Sequence, residues 1–110
     1  MVNYNEQQLN NIFSALADPT RRKMLMRLTE QDMSVADLAA PFDMTKSAVT
    51  KHVKVLENAG LLKRSIEGRV HRCQLAPSPL ADASDWLQFY QAFWQNKLDA
   101  LDDFLTRTDN

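Results

Sequence analysis

The sequence of 110 residues contains one cysteine, Cys73, and no apolar run long enough to span a membrane. A single cysteine excludes a disulfide within the chain, which is typical of a protein in a reducing compartment. A membrane-spanning helix needs roughly 18 consecutive apolar residues. The first residues, MVNYNEQQLNNIF, do not have the basic start and apolar run of a secretion signal. The sequence therefore predicts a cytoplasmic protein without a membrane partner.

An excess of charge of one sign is also missing, because the formal net charge is −1, but the charges are unevenly distributed. Eleven of the thirteen Lys and Arg residues lie in segments 21–27 and 44–72, whereas Asp predominates after residue 76. A basic middle with an acidic end is typical of a protein that binds a polyanion through one surface. A solvated surface of mixed charge is the alternative interpretation.

The length and the hydrophobic content of 45% are those of about one domain. No linker, repeat or low-complexity segment divides the chain, so we predict a single domain over residues 1–110. A domain of this size has a modest core and gains stability from a partner subunit. A homodimer is therefore plausible before any motif is considered.

The first forty residues have the apolar spacing and the start and stop signals of three helices. We predict these helices at residues 5–17, 19–29 and 35–40. Asp18 caps the second helix and Pro19 stands where its missing N–H is not needed. Ser34 caps the third helix, and Pro41 ends it.

The fourth predicted helix, residues 45–59, has two different faces. Four apolar residues recur at helical spacing and should be buried: Val49, Val53, Leu56 and Ala59. The opposite face carries only cations and hydroxyls: Lys46, Ser47, Thr50, Lys51 and Lys54. Both kinds of side chain bind phosphate oxygens or base edges. A short helix, a tight turn and this helix form the layout of a helix-turn-helix.

Residues 61–75 read as a basic hairpin. Gly60 ends the fourth helix, and two alternating runs are then joined through Glu67-Gly68. A basic hairpin after a helix-turn-helix is a two-stranded wing, from which Arg69 and Arg72 would contact DNA. An exposed edge hairpin also uses charge to avoid aggregation, which is the alternative. The predicted fold class is mainly α (α+β), a winged helix-turn-helix.

Residues 79–106 predict one long terminal helix with an aromatic stripe. The stripe consists of Leu87, Tyr90, Trp94, Leu98, Leu101 and Leu105. It exceeds what the core of a small monomer needs, so we expect the terminal helices to form the dimer interface. Leu9 and Phe13 of the first helix would join it. An aromatic pocket for an apolar effector is the alternative.

Two segments carry a family resemblance: FSALADPTRRKMLMRL at 13–28 and SVADLAAPFDMTKSAVTKHVKVLENAGLL at 34–62. Together with the hairpin and the long last helix they resemble the arsenical-resistance-repressor (ArsR-type) family of small bacterial winged-helix regulators. The resemblance implies a homodimer that binds a palindromic operator in double-stranded DNA and represses a nearby gene, often its own. It places Lys46, Ser47, Thr50 and Lys51 in the groove-facing part of the recognition helix. His52 matches the family's usual histidine, for which support of the helix or a phosphate contact is the alternative to base contact.

Metal sensing, as in many such relatives, is not expected here. The third helix has no paired cysteines, and Cys73 alone supplies too few thiolates for a site of the arsenic or cadmium type. The last helix contains Asp residues but no histidine, so the combination of carboxylate and histidine that binds zinc is missing as well. We therefore predict no metal site and no cofactor. His71 and Cys73 are the only nucleophile-like pair, and nothing in the sequence supplies an orienting group or an oxyanion site, so an enzyme is not expected.

The sequence thus predicts a dimeric, sequence-specific DNA-binding repressor that uses helix 45–59 and wing 61–75. One alternative is a winged-helix module that binds a protein partner. Another is a repressor gated by a small molecule at the terminal helices or by oxidation of Cys73, whose pKa the neighbouring Arg72 and His71 would lower. An inert, buried strand cysteine is the competing interpretation of Cys73. The effector, if one exists, is unknown.

Overall fold

The computed structural model describes residues 6–108, which are mainly helical with one small antiparallel sheet. The elements in chain order are α1 (Glu6–Leu16), α2 (Pro19–Glu30), β1 (Met33–Ser34), α3 (Val35–Ala39), α4 (Lys46–Asn58), β2 (Leu62–Glu67), β3 (Val70–Leu75) and α5 (Pro77–Thr108). Two compact units divide the chain after Leu80. The single domain over residues 1–110 stays a prediction.

The predicted helix starts in the first unit are confirmed. Asp18 caps α2, since its Oδ2 accepts a hydrogen bond of 3.0 Å from the Arg21 backbone N–H, and Pro19 is the first helical residue. Ser34 caps α3 in the same way through the Asp37 N–H. The predicted start of the first helix at Asn5 lies outside the described residues.

The core of the first unit consists of the apolar faces that helical spacing predicts. Its largest fully buried side chains are Ile12, Met24, Leu38, Val53, Leu56, Leu61 and Cys73. On α4, the predicted inner residues Val49 and Ala59 are buried as well. The outer face of α4 is therefore held towards solvent by the packing of its inner face.

The wing hairpin is confirmed, and it belongs to a larger sheet than the predicted two strands. Strand order is β1-β3-β2, with Met33 opposite Cys73 and Ser34 opposite Arg72. The sequence did not predict β1 because two residues are too few for an alternating pattern to be recognised. This extra strand connects the start of α3 to β3, the second strand of the wing.

Two glycines adopt the left-handed backbone that ends α4 and closes the wing. Gly60 has φ +75° after the last turn of α4, and a Cβ at this position would lie 3.3 Å from Cγ of Pro79. Gly68 has φ +65° and begins the turn between the paired residues Glu67 and Val70. Other residues adopt this conformation at a cost, so both positions favour glycine.

The terminal helix α5 begins two residues earlier than predicted and continues to Thr108, over 32 residues. Pro77 and Pro79 both lie in its first turn, where the backbone N–H groups have no partner within the helix. The missing N–H of a proline therefore costs nothing there. Nearly all of its residues after position 86 are exposed. None of the helices within residues 6–108 has the length and apolar content that crossing a membrane requires.

Candidate nucleic-acid interface

The outer face of α4 is exposed, and we call its five residues Lys46, Ser47, Thr50, Lys51 and Lys54 the α4 polar face. Thr45 starts the helix, because its Oγ1 accepts a hydrogen bond of 3.1 Å from the backbone N–H of Ala48. The face contains no carboxylate. It therefore presents three ammonium groups and two hydroxyl side chains on one side of a rigid helix.

The two hydroxyls of this face are not equivalent. The Thr50 hydroxyl donates a 2.8 Å hydrogen bond to the backbone carbonyl of Lys46, four residues earlier. Its proton is therefore directed to the helix itself, while its lone pairs can still accept a hydrogen bond.

Glu57, the acid of the recognition-helix segment, is paired with the wing. Arg64 Nε donates to its Oε2 at 3.2 Å, and Arg64 Nη2 donates to its Oε1 at 3.1 Å. This two-pronged contact joins the end of α4 to β2. The negative charge of Glu57 is thereby matched, and Arg64, one of the cations of segment 44–72, is engaged within the protein.

The structure brings Arg69 and α4 to the same groove. The groove has a volume of about 560 Å³, and its lining comes from the wing, α3 and α4: Ser34, Val35, Ala36, Thr50, Arg64, Arg69, Val70 and His71. Arg69 follows Gly68 in the wing turn and is exposed. The predicted wing cation thus lies beside the α4 polar face.

Arg72 borders a different groove. It pairs across the sheet with Ser34 and Ser65, and it lines a groove of about 490 Å³ together with Arg27, Asp32 and Asp37. Two carboxylates border this groove, so the surroundings of Arg72 favour an anion less than those of Arg69. The two predicted wing residues therefore line two different grooves, which share Ser34.

His52 faces the turn between α1 and α2 and is half-buried. Its Nδ1 lies 3.2 Å from Arg21 Nη1, and Asp18 Oδ2 is 3.9 Å from the same nitrogen. A guanidinium only donates hydrogen bonds, so Nδ1 accepts and the ring proton belongs on Nε2. This contact connects the recognition helix to the preceding helices, in line with a supporting role for His52.

The basic segment 21–27 is largely engaged in contacts that sequence analysis missed. Arg21 donates to the carbonyls of Ala15 at 2.7 Å and Ser14 at 3.1 Å, and Arg22 donates to that of Leu16 at 2.6 Å. These carbonyls end α1, where helices lack internal donors. The sequence contained one signal for these contacts, namely two arginines a few residues after the predicted end of the first helix.

The Asp18 carboxylate, in the turn between α1 and α2, lies close to both Arg21 and His52. The Arg21 backbone N–H lowers the pKa of the Asp18 carboxyl group below the usual value, and the Arg21 guanidinium and the protonated form of His52 act in the same direction against partial burial. The Asp-Pro-Thr-Arg-Arg turn is therefore a structural junction.

Cys73 is fully buried in β3, and this burial raises the pKa of its thiol above the ordinary value, against a smaller opposite effect of Arg64. The expectation that Arg72 and His71 lower this pKa is wrong. Successive strand residues point to opposite faces, which separates Arg72 from the thiol, and His71 is exposed. The structure favours the inert strand cysteine.

The predicted interface residues of α5 form an exposed apolar stripe. Tyr90, Trp94, Leu98, Leu101 and Leu105 all expose about half of their surface. Neighbouring rings contact each other at their edges, as for Phe93 and Trp94 with centroids 5.7 Å apart. Leu9 and Phe13 of α1 are half-buried. Within the described part of the chain, no three His, Cys, Asp or Glu side chains are grouped to hold a metal ion.

A helix-turn-helix of α3 and α4 followed by a β-hairpin defines a winged helix-turn-helix protein. Comparisons with known proteins agree. The family model of bacterial regulatory proteins of the arsR family matches residues 18–64. The chain is 33% identical to the transcriptional repressor SdpR of Bacillus subtilis (strain 168) over 79 residues, which is 72% of this chain and 88% of SdpR.

Solved structures are similar over most of their length. A crystal structure of an ArsR family transcriptional regulator is 41% identical with a TM-score of 0.79, covering 86% of this chain and 97% of that chain. A homodimeric winged helix-turn-helix DNA-binding domain from Mycobacterium bovis has the same fold at 19% identity and a TM-score of 0.62, covering 89% and 94%. The chain belongs to the arsR family of bacterial regulatory proteins, which are transcriptional regulators rather than enzymes.

Proposed function

We propose that the protein is a dimeric, sequence-specific DNA-binding repressor that recognises a palindromic operator, and that such an operator lies upstream of its own gene. The α4 polar face carries this proposal. Its cations and hydroxyls are exposed together, its opposite side is buried, and Glu57 is neutralised by Arg64. A surface of this composition is depleted in the apolar anchors on which protein interfaces depend.

The fold supplies a docking geometry for this surface. In a helix-turn-helix, the second helix lies in the major groove, and here that helix is α4. Lys46, Lys51 and Lys54 then reach phosphates or guanine acceptors. Arg69 in the wing turn contacts the flanking backbone, while contact by Arg72 stays a prediction. His52 supports α4 from behind.

The exposed stripe of α5 supports dimerisation. Five large apolar side chains, each about half exposed, form a surface that is unfavourable in water and fits a second copy of the same helix. The Mycobacterium bovis relative is described as homodimeric, and SdpR as a repressor. A twofold dimer presents two α4 helices to successive major grooves, so its operator is palindromic.

The test begins with selection of preferred duplexes from a random-sequence pool, which does not depend on knowing the regulated gene. Fluorescence anisotropy then compares the selected duplex, a scrambled duplex and the region upstream of the gene at several salt concentrations. Lys51→Gln should weaken binding to the selected duplex and reduce the slope of log affinity against log salt by about one. Lys23→Gln, which changes an exposed cation of α2, is the matched control.

The expected result is salt-sensitive binding of two protomers to a palindromic selected duplex, with Lys51→Gln weaker than Lys23→Gln. A pool that yields no preferred sequence would contradict sequence-specific recognition and favour a protein partner. Tight binding to the upstream region supports autoregulation, and its absence contradicts that part alone.

A further inference from the structure

Thr50 stands at the junction of two grooves on the surface that carries the α4 polar face. One is the groove beside Arg69. The other has a volume of about 430 Å³ and lies between α3 and α4. Thr50 lines both, so it is the residue of the polar face that is common to the helix-turn-helix groove and the wing groove.

The α3–α4 groove is mainly apolar. Apart from Lys46 and Thr50, its lining consists of small or apolar side chains: Val35, Ala36, Ala39, Ala40, Phe42, Met44 and Val49. Most of these residues are at least partly exposed. An apolar surface next to three exposed lysines is not needed for phosphate contact, because phosphate oxygens require donors and positive charge.

The hydroxyl of Thr50 already donates its hydrogen bond within α4, so it is not a donor to DNA in this structure. Its 2.8 Å bond to the Lys46 carbonyl uses the only hydroxyl proton. The Cγ2 methyl group takes no part in this bond. Thr50 lines the apolar groove and has a methyl group that this bond leaves available for an apolar contact. The nearby cations Lys46, Lys51 and Lys54 provide for the phosphates.

The base edges in the major groove contain a single apolar group, the C5 methyl of thymine. We propose that Thr50 is a specificity-determining residue that reads a thymine in each half-site through its methyl group, at the edge of the α3–α4 groove. This inference rests on the proposed DNA-binding function. It adds the base and the atom that are recognised.

The experiment uses the full-length protein and the selected duplex. Each thymine is replaced in turn by deoxyuridine, which removes only the C5 methyl. The protein variants are Thr50→Ser, which keeps the hydroxyl and removes the methyl, and Thr50→Val, which keeps a methyl and removes the hydroxyl. The thermal midpoint of each variant is measured first, and the deoxyuridine series with the natural protein is independent of any effect on folding.

One thymine per half-site should be sensitive. Deoxyuridine there should weaken binding of the natural protein about fourfold per half-site, the ratio expected when one methyl group loses an apolar contact. Thr50→Ser should show the same loss on the unmodified duplex and no further loss on the deoxyuridine duplex. Thr50→Val should bind like the natural protein and remain sensitive to deoxyuridine.

Two results would overturn the inference while the proposed function survives. One is salt-sensitive, selective binding that no deoxyuridine substitution alters. The other is selectivity that Thr50→Ser keeps and Thr50→Val loses, which would assign recognition to the hydroxyl. If the protein selects no duplex at all, the proposed function and this inference are both contradicted.

Discussion

Arg64 and Glu57 form a two-pronged ion pair, with N–O distances of 3.1 and 3.2 Å, that joins the first residues of the wing to the last turn of the recognition helix. Both side chains are about 31% exposed. The pair gives the wing a defined position relative to α4. It also removes a repulsive carboxylate from the surface that we propose to meet DNA.

This pair should show energetic coupling in a double-mutant cycle. We expect Glu57→Gln and Arg64→Gln each to lower the free energy of unfolding, and the double variant to lose less than their sum. The coupling free energy should be about 0.5–1 kcal/mol, because the geometry is good but the pair is partly exposed. Urea denaturation at low and high salt measures it, and strictly additive losses would show that the pair contributes nothing.

The cap at Asp18 should make stability depend on pH in the acid range. Because the folded pKa is lowered, its stabilisation is complete above the unfolded pKa of about 3.9 and is lost as pH falls through the folded pKa. Asp18→Asn keeps a capping side chain without the charge, so its deficit relative to the natural protein should be present at pH 7 and vanish in acid. Asp18→Ala should lose about 1 kcal/mol at pH 7. A deficit of Asp18→Asn that does not change with pH would contradict this assignment.

Cys73 should be unreactive in the folded protein. Burial excludes reagents, and the raised pKa keeps the thiol protonated at neutral pH. A thiol-specific aromatic disulfide should label it slowly in buffer and rapidly in denaturing urea. Mild peroxide should leave DNA binding unchanged, as it should for the Cys73→Ala control. Rapid labelling of the folded protein would instead support a redox signal.

The α5 stripe should determine the oligomeric state. Leu98→Glu places a charge in the middle of the stripe and should convert the dimer to monomers at micromolar concentrations, because an unpaired buried charge is strongly unfavourable. Asn96→Glu, on the opposite side of the same helix, is the matched control and should remain dimeric. Sedimentation velocity distinguishes the two, and a dimeric Leu98→Glu protein would show that the interface lies elsewhere.

The local elements of this protein follow closely from its sequence. Asp18-Pro19, Ser34 and Thr45 start helices because their side chains cap neighbouring N–H groups, and Gly60 and Gly68 adopt backbone conformations that disfavour other residues. Helical spacing likewise separated the buried and exposed faces of α4. These are short-range effects, in which the residues that interact are at most four positions apart.

The partners of the charged side chains were decided by the tertiary structure. Sequence placed Arg21, Arg64 and Arg72 in one basic class, yet Arg21 binds the carbonyls that end α1, Arg64 binds Glu57, and Arg72 borders a groove with two carboxylates. The tertiary structure also decided the existence of β1, which forms by pairing with β3. It likewise decided the burial of Cys73, which raises the pKa of the thiol. A sequence pattern records the type and spacing of residues, so it determines helices, turns and faces. Groups that meet across six or more positions depend on how those elements pack. This packing leaves Arg69 and the α4 polar face exposed as the surface that we propose to meet DNA.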